Sequence, residues 1–203
     1  MPSRNVTKER APDSYYHVYA RGNNKQTIFI IDDDYEYFLE LFRRYLSKDL
    51  VISKSGTLYP NFLNRIELLS YCLMPTHFHL LIYQFETMDM EKFMRSFMTS
   101  YSRYFNLKHK RTGSVFENRY RAIKIDQDEY LQHITRYIHL NPETWKTYKY
   151  SSWKYYRDGD EPDWLKNTKT LELFDSRGAY IDFVADYKET RDDLKKMKHE
   201  LDD

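Results

Sequence analysis

The chain has 203 residues, 41% of them hydrophobic, with 32 Lys and Arg against 31 Asp and Glu. That is enough for one sizeable core with a C-terminal elaboration, and argues against a second independent domain. No run approaches the roughly 18 uninterrupted apolar residues of a membrane span, and the polar segment 1–13 has no hydrophobic stretch of a secretory signal, so a cytoplasmic chain that avoids membranes is expected.

In chain order, Tyr15 to Arg21 alternates as a strand, and Asp33 to Ser47 shows helical apolar spacing at Tyr37, Phe38, Leu41, Phe42 and Tyr45. Residues 51–61, with Gly56 and Pro60, predict an irregular hairpin or loop. Leu63 to Leu73 and Phe78 to Gln84 predict two strands joined by a turn at Met74, Pro75 and Thr76. The lone cysteine, Cys72, lies in the first of these apolar runs and is expected to be a buried thiol; a single Cys excludes an internal disulfide, a zinc ribbon and a redox pair. A helix follows from Asp89 to Leu107, broken over residues 108–113, and then a strand from Tyr120 to Ile125. Gln127 to Leu140 predicts a last core helix, with Asp126 as N-cap and Pro142 forbidding continuation past Asn141. Without that helix the order is β-α-β-β-α-β. This is an α+β, ferredoxin-like split β-α-β pattern, an antiparallel sheet with helices on one face. Residues 143–203 are expected to pack beside this core as helices and loops, ending in a charged segment from 189 onward.

The chemistry concentrates in two places. In His77-Phe78-His79, strand alternation points both imidazoles one way and Phe78 into the core, a two-histidine metal platform. A pair of partly exposed strand histidines with no ligand is the alternative for this tripeptide alone. Tyr137 and Asn141 are four apart and share a helix face. Together these residues offer one phenol nucleophile and three neutral metal ligands. Tyr104 and Tyr130 also qualify as nucleophiles by type, but the residues four further on are Lys108 and Ile134, not amides. His17 and His139 are candidate accessory groups, with a structural role the expected one for each.

Charge is unevenly spread. Lys92, Arg95, Arg103, Lys108, Lys110, Arg111, Arg119, Arg121 and Lys124 face only Glu117 over that stretch, an electrostatic footprint for phosphates unless they merely solvate a helix and loop. Tyr101, Tyr104, Phe105, Phe116 and Tyr120 are interleaved with these cations, as in single-strand stacking platforms.

Several stretches carry a family resemblance: Tyr16-His17-Val18, Arg21-Gly22-Asn23-Asn24, Tyr71 to Leu81 with the proline turn and both histidines, Ser102 to Asn106, Gly113 to Arg121, and Arg136-Tyr137-Ile138-His139-Leu140-Asn141-Pro142. Tyr150-Ser151-Ser152-Trp153 extends the likeness into the C-terminal part. With these motifs the chain resembles the HUH single-tyrosine transposases, and within them the REP-associated tyrosine transposases, which act on short palindromic DNA repeats. Asn141, where insertion-sequence relatives usually carry Gln, fits the REP-associated branch. The resemblance implies the ferredoxin-like fold, a catalytic domain over residues 1–142 and a C-terminal extension over 143–203 packed on it. It implies Tyr137 as the nucleophile of a 5′-phosphotyrosine intermediate, His77, His79 and Asn141 as ligands of Mg²⁺ or Mn²⁺, and single-stranded or hairpin DNA as partner. Arg21, Asn23, Asn24, Arg95, Arg103, Lys110, Arg111, Arg119, Arg121 and Lys124 are the expected DNA-binding residues, in a monomer or homodimer. A domesticated hairpin-binding protein with little turnover is the alternative function; an RNA-binding module is weaker, because the aromatic pattern of such modules is absent.

Overall fold

Strand alternation sorts the side chains of the sheet into two cores. The computed structural model describes residues 11–53 and 55–186. In β1 (Ser14–Arg21), Tyr16, Val18 and Ala20 join one core, while Tyr15 and Tyr19 join the other. β2 (Ile66–Met74) and β3 (His77–Gln84) form a hairpin across Pro75 and Thr76, and β4 (Arg121–Ile125) completes an antiparallel sheet in the order β2-β3-β1-β4. That order belongs to the split β-α-β pattern expected from the sequence. β2 does not alternate cleanly, because the register shifts between Leu68 and Ser70; Leu68 and Tyr71 therefore share one face although they lie three apart.

On that first face, α1 (Asp32–Leu46) and α2 (Asp89–Lys108) lay Phe38, Leu41, Phe42, Phe93, Met94, Phe97 and Tyr101 against Val18, Phe78, Leu80 and Ile82. Their apolar residues recur at three- and four-residue spacing, which gives each helix a buried stripe. The opposite face is covered by α3 (Asp128–Leu140), whose Leu131, Ile134 and Ile138 pack on Tyr19, Leu69, Cys72, Leu81 and Ile125. Cys72 is buried as expected, and burial pushes its thiol well up from the ordinary range.

Most element boundaries shift by one residue or more from expectation, and three of the shifts have local causes. β2 starts at Ile66 and not at Leu63, because residues 62–66 turn on themselves: the Arg65 and Ile66 amides donate to the Phe62 carbonyl, and Asn64 has φ 62°. β4 starts at Arg121, one residue late, since Tyr120 belongs to the preceding loop. α3 is capped by Gln127 and not by Asp126, whose carboxylate instead meets Lys124 Nζ at 2.8 Å. The irregular hairpin expected over 51–61 is present, with Ile52 bridging Leu58.

Beyond Pro142 the chain returns to the β2 edge of the sheet. The Leu73 amide donates to Tyr150 (2.9 Å), the Ser152 amide to Tyr71 (2.9 Å) and the Lys166 amide to Leu68 (2.8 Å), so an edge that would otherwise expose unpaired backbone groups is covered. α4 (Trp153–Asp158), α5 (Thr168–Leu171) and α6 (Arg177–Ala185) follow; Trp153, Tyr156, Tyr180 and Val184 form a third small core. The charged end expected from residue 189 lies outside the described residues. No helix among the described residues is long and apolar enough to cross a membrane.

Phe78 is fully buried, with its ring 5.1 Å from Phe38 and 5.9 Å from Phe116. Phe78→Ala should lower the unfolding free energy by about 3–5 kcal/mol, read from the denaturant midpoint at unchanged slope. His77→Ala, on the opposite face and half-buried, should leave the midpoint nearly unchanged. Equal losses from the two substitutions would contradict this facing.

Candidate active site

β3 turns His77 and His79 onto the α3 face, with ring centroids 5.1 Å apart. In each ring Nδ1 is already engaged. The Thr76 hydroxyl meets His77 Nδ1 at 3.0 Å, and His17 Nε2 meets His79 Nδ1 at 3.0 Å. His17 comes from β1, where Tyr19 pairs with His79 and His17 pairs with Leu81, so the two histidines are diagonal neighbours on one face. Both His17 and His79 are buried, and burial pulls His17 down to about 3, which keeps its ring neutral at physiological pH.

Tyr137 projects from α3 into the same place. Its ring meets His79 edge-on, 5.3 Å between centroids, and stands 6.0 Å from His17. The helix is held by its apolar stripe on the sheet and by Gln132 and Arg136, which donate to the Leu173 and Phe183 carbonyls at 2.9 and 3.2 Å. It is also held by His139, two residues beyond the tyrosine, whose Nδ1 lies 2.6 Å from the Tyr180 hydroxyl and whose Nε2 lies 2.8 Å from the Ser152 hydroxyl. Ser152 Oγ also accepts the Tyr71 amide at 2.9 Å, so the last turn of α3 is tied to both the extension and β2. His139 thus has the structural place expected of it.

A pocket opens over these groups, walled by Tyr19, Ala20, Arg21, Lys25, His77, His79, Glu117, Asn118, Tyr120, Arg121 and Tyr137. Its rim depends on the Arg-Gly-Asn-Asn turn. Gly22 donates to Thr76 (2.8 Å), and the Ile28 and Phe29 amides both donate to Pro75, so this turn docks on the proline turn that precedes His77. A Cβ at Gly22 would come within 2.1 Å of the Gln26 carbonyl, so only glycine fits. Asn23 in turn donates to Val115, and Glu117 to Arg21, which brings residues 115–121 alongside.

Of the expected DNA-binding residues, Arg21 and Arg121 line the pocket. Asn23 and Asn24 sit in the exposed turn next to Lys25, Arg119 is exposed between two wall residues, and Arg111 donates to Gln26 of that turn at 3.0 Å. Lys110 is exposed in the loop after α2. Arg95 and Arg103 lie on the outer side of α2, across the sheet from the pocket. Lys124 alternates with Ile123 and Ile125, which face α3, and so points to the far face beside Asp126. The basic run is therefore divided between two sides of the molecule.

Asn141 keeps helical angles (φ −57°, ψ −43°), which preserves the one-turn spacing from Tyr137. It is half-buried and is not part of the pocket wall. Its amide nitrogen is sealed from solvent without a hydrogen-bond partner, and an amide's N and O are exchanged by a half-turn of the side chain. Among the described residues no group of three His, Cys, Asp or Glu side chains could hold a metal. What the site does bring together is two imidazoles, His77 and His79, each with its Nδ1 engaged.

Tyr104 is placed elsewhere. Its hydroxyl donates to the Asp33 carbonyl at 3.1 Å, its ring stacks on Tyr37 at 3.8 Å, and burial with the nearby Asp34 and Asp33 pushes its phenol up to about 12. Tyr130 packs at the border of the α3 core, outside the pocket wall. Sequence reasoning missed Tyr19, Lys25, Glu117 and Asn118 as wall residues. Tyr19 was within reach, since it alternates with His17 on one strand face. Its hydroxyl is buried in the pocket wall without a hydrogen-bond partner.

Residues 11–141 match the family model described as IS200-like transposase. The fold matches the structure of a REP-associated tyrosine transposase bound to a REP hairpin, with TM-score 0.54 and 13% identity over 79% of this chain and 90% of that one. A Deinococcus radiodurans crystal structure assigned to the transposases gives a TM-score of 0.39 and 15% identity over 68% of this chain and 95% of that one. No curated protein sequence matches the chain.

Burial lowers both His17 and His139 from 6.5 to about 3. The unfolded chain therefore takes up their protons first as pH falls. The stability they protect is fully present above pH 6.5, declines below it, and is lost by about pH 3. Denaturant midpoints taken from pH 6.5 down to about 4.5, above the carboxylate range, should fall steadily, and His139→Gln should roughly halve that slope. A flat profile would mean that neither ring is buried neutral.

Proposed function

Because the chain belongs to the IS200-like transposase family, we propose that it nicks and rejoins single-stranded, hairpin-forming DNA through Tyr137. The observation that carries this reading is the meeting of Tyr137 with His77, His79, Arg21 and Arg121 around one pocket of a single chain. The hairpin bound by the structurally similar REP-associated transposase supports the substrate class.

An unperturbed tyrosine phenol ionises near pH 10, so attack at neutral pH needs charge neutralised near the oxygen. A divalent ion held by His77, His79 and Asn141, in function Mg²⁺ or Mn²⁺, would supply Lewis-acid polarisation of the phosphate. Arg21 and Arg121 bring fixed positive charge to the same pocket for the non-bridging oxygens. Tyr137 Oη attacks phosphorus and gives up its proton; the Oη–P bond forms, the P–O3′ bond breaks, and the departing 3′-oxygen takes a proton. The product is a 5′-phosphotyrosine with a free 3′-hydroxyl. One phosphate ester replaces another, so the reverse attack by a 3′-hydroxyl rejoins DNA without ATP. Confinement of the tyrosine by α3 and the His139 tie gives the attack a fixed direction and restricts the search for an in-line geometry.

Incubation with an end-labelled hairpin carrying a single-stranded flank and Mn²⁺ should give a nicked product. Tyr137→Phe should retain DNA and Mn²⁺ binding and lose cleavage. His79→Ala should lose cleavage together with metal affinity, and Asn141→Ala should lower metal affinity about 10–100-fold, with partial recovery in Asn141→Gln. Arg119→Ala and Arg121→Ala should each flatten the salt dependence of binding by roughly one counterion. Continued nicking by Tyr137→Phe would sink the assignment. Tight hairpin binding with no cleavage by the parent chain would instead favour the domesticated, binding-only alternative.

A further inference from the structure

β1 buries an imidazole that the proposed reaction leaves unused. His17 is fully shielded from solvent, and its ring lies nearly parallel to that of His79, 20° between planes and 5.1 Å between centroids. Its Nε2 faces His79 Nδ1 at 3.0 Å, while its own Nδ1 is buried without a partner. The facing nitrogens have room for one proton between them, so two arrangements exist. In the first, His17 donates from Nε2, and His79 must then carry its proton on Nε2. In the second, His79 donates from Nδ1, His17 accepts at Nε2 and carries its proton on Nδ1, and the His79 Nε2 lone pair can coordinate.

Coordination through His79 Nε2 is compatible with the second arrangement alone. We infer that His17 is a positioning residue whose Nε2 accepts the His79 Nδ1–H bond, setting the orientation and the tautomer in which His79 holds the divalent ion. This rests on the proposed metal role of His77 and His79. The contrast with His77 sharpens it. Thr76, at His77 Nδ1, offers a rotating hydroxyl that donates or accepts with equal ease and selects no tautomer. His17 is fully buried beside both His79 and Tyr19, its ring centroid 5.1 and 5.2 Å from theirs, and can serve only if its own proton sits on the unpartnered Nδ1. Its place near Tyr137, at 6.0 Å, lets the same bond fix the His79 ring against which the tyrosine rests. Partners of this kind on ligating histidines typically govern metal affinity as strongly as a weak ligand does.

Three substitutions separate an acceptor from a core ring. His17→Phe keeps a buried aromatic ring at this position and removes the acceptor. His17→Gln places its amide oxygen where Nε2 stood, whereas the shorter His17→Asn reaches only the Nδ1 position. Titration calorimetry with Mn²⁺ on the DNA-free full chain, with thermal melting as a folding control, should show His17→Phe weakened about 10–100-fold. His17→Gln should recover to within roughly threefold of the parent chain, and His17→Asn should not recover. In the parent chain with Zn²⁺ as a diamagnetic probe, ¹⁵N-resolved imidazole spectra should place the His17 proton on Nδ1. Parent-like Mn²⁺ affinity in a folded His17→Phe, or a His17 proton on Nε2 in the Zn²⁺-bound chain, would overturn the inference while leaving the metal site standing. No binding of Mn²⁺ or Zn²⁺ by the parent chain would remove the metal site, and this role of His17 with it. Should His17→Phe fail to fold, the parent-chain spectra decide alone.

Discussion

The orientation of β3 is the constraint on which the rest depends. Phe78 lies in an aromatic core with Phe38 and Phe116, and a one-residue slip would bring His77 and His79 into that core while expelling Phe78, Leu80 and Ile82. Burying two imidazoles there without partners would be costly. The register of β3 against β1, from Ser14 opposite Gln84 to Arg21 opposite His77, is thus held by the hydrophobic effect on one face, and it determines the chemistry on the other. The same register puts His17 diagonal to His79 and Tyr19 directly across from it.

The second requirement is a helix that brings Tyr137 over those imidazoles and keeps it there. Leu131, Ile134 and Ile138 supply the adhesion, and His139 anchors the end of the helix through Tyr180 and Ser152. Ser152 in turn bonds β2, the strand whose edge the extension covers. Residues after Pro142 thereby bear on the position of a tyrosine that precedes them. They connect the α3 face, the sheet edge and the third small core, so loosening the extension is expected to act at Tyr137 without touching the pocket.

Much of the fold was legible in the sequence because its signals are periodic. The alternation around Phe78 and the helical stripes of α1, α2 and α3 each reflect burial of one face. The start of β2 was not, since the turn over residues 62–66 rests on backbone bonds to Phe62 and a left-handed Asn64 rather than on composition. The N-cap of α3 was misplaced because Asp126 has a tertiary partner, Lys124, that local patterns do not reveal. At the site, spacing along the chain brought out His77, His79 and Tyr137, whereas Lys25, Glu117 and Asn118 reach the pocket only through the docking of one turn on another. Linear proximity also overstated the basic surface: Arg95, Arg103 and Lys124 are near Arg121 in sequence and face away from the pocket in space. A helix and a strand turn neighbouring residues to different sides, so a run of like charges need not form one patch.

Tyr137 is proposed as the residue joined to DNA, in a pocket whose walls come from one chain. The most direct measurement is to incubate the full chain with the flanked hairpin and Mn²⁺, denature it, digest it and sequence the nucleotide-bearing peptide by mass spectrometry. A phosphodiester-linked nucleotide on Tyr137 is the expected result; an adduct on Tyr104 or Tyr130, or cleavage that leaves no protein-linked nucleotide, would contradict the account.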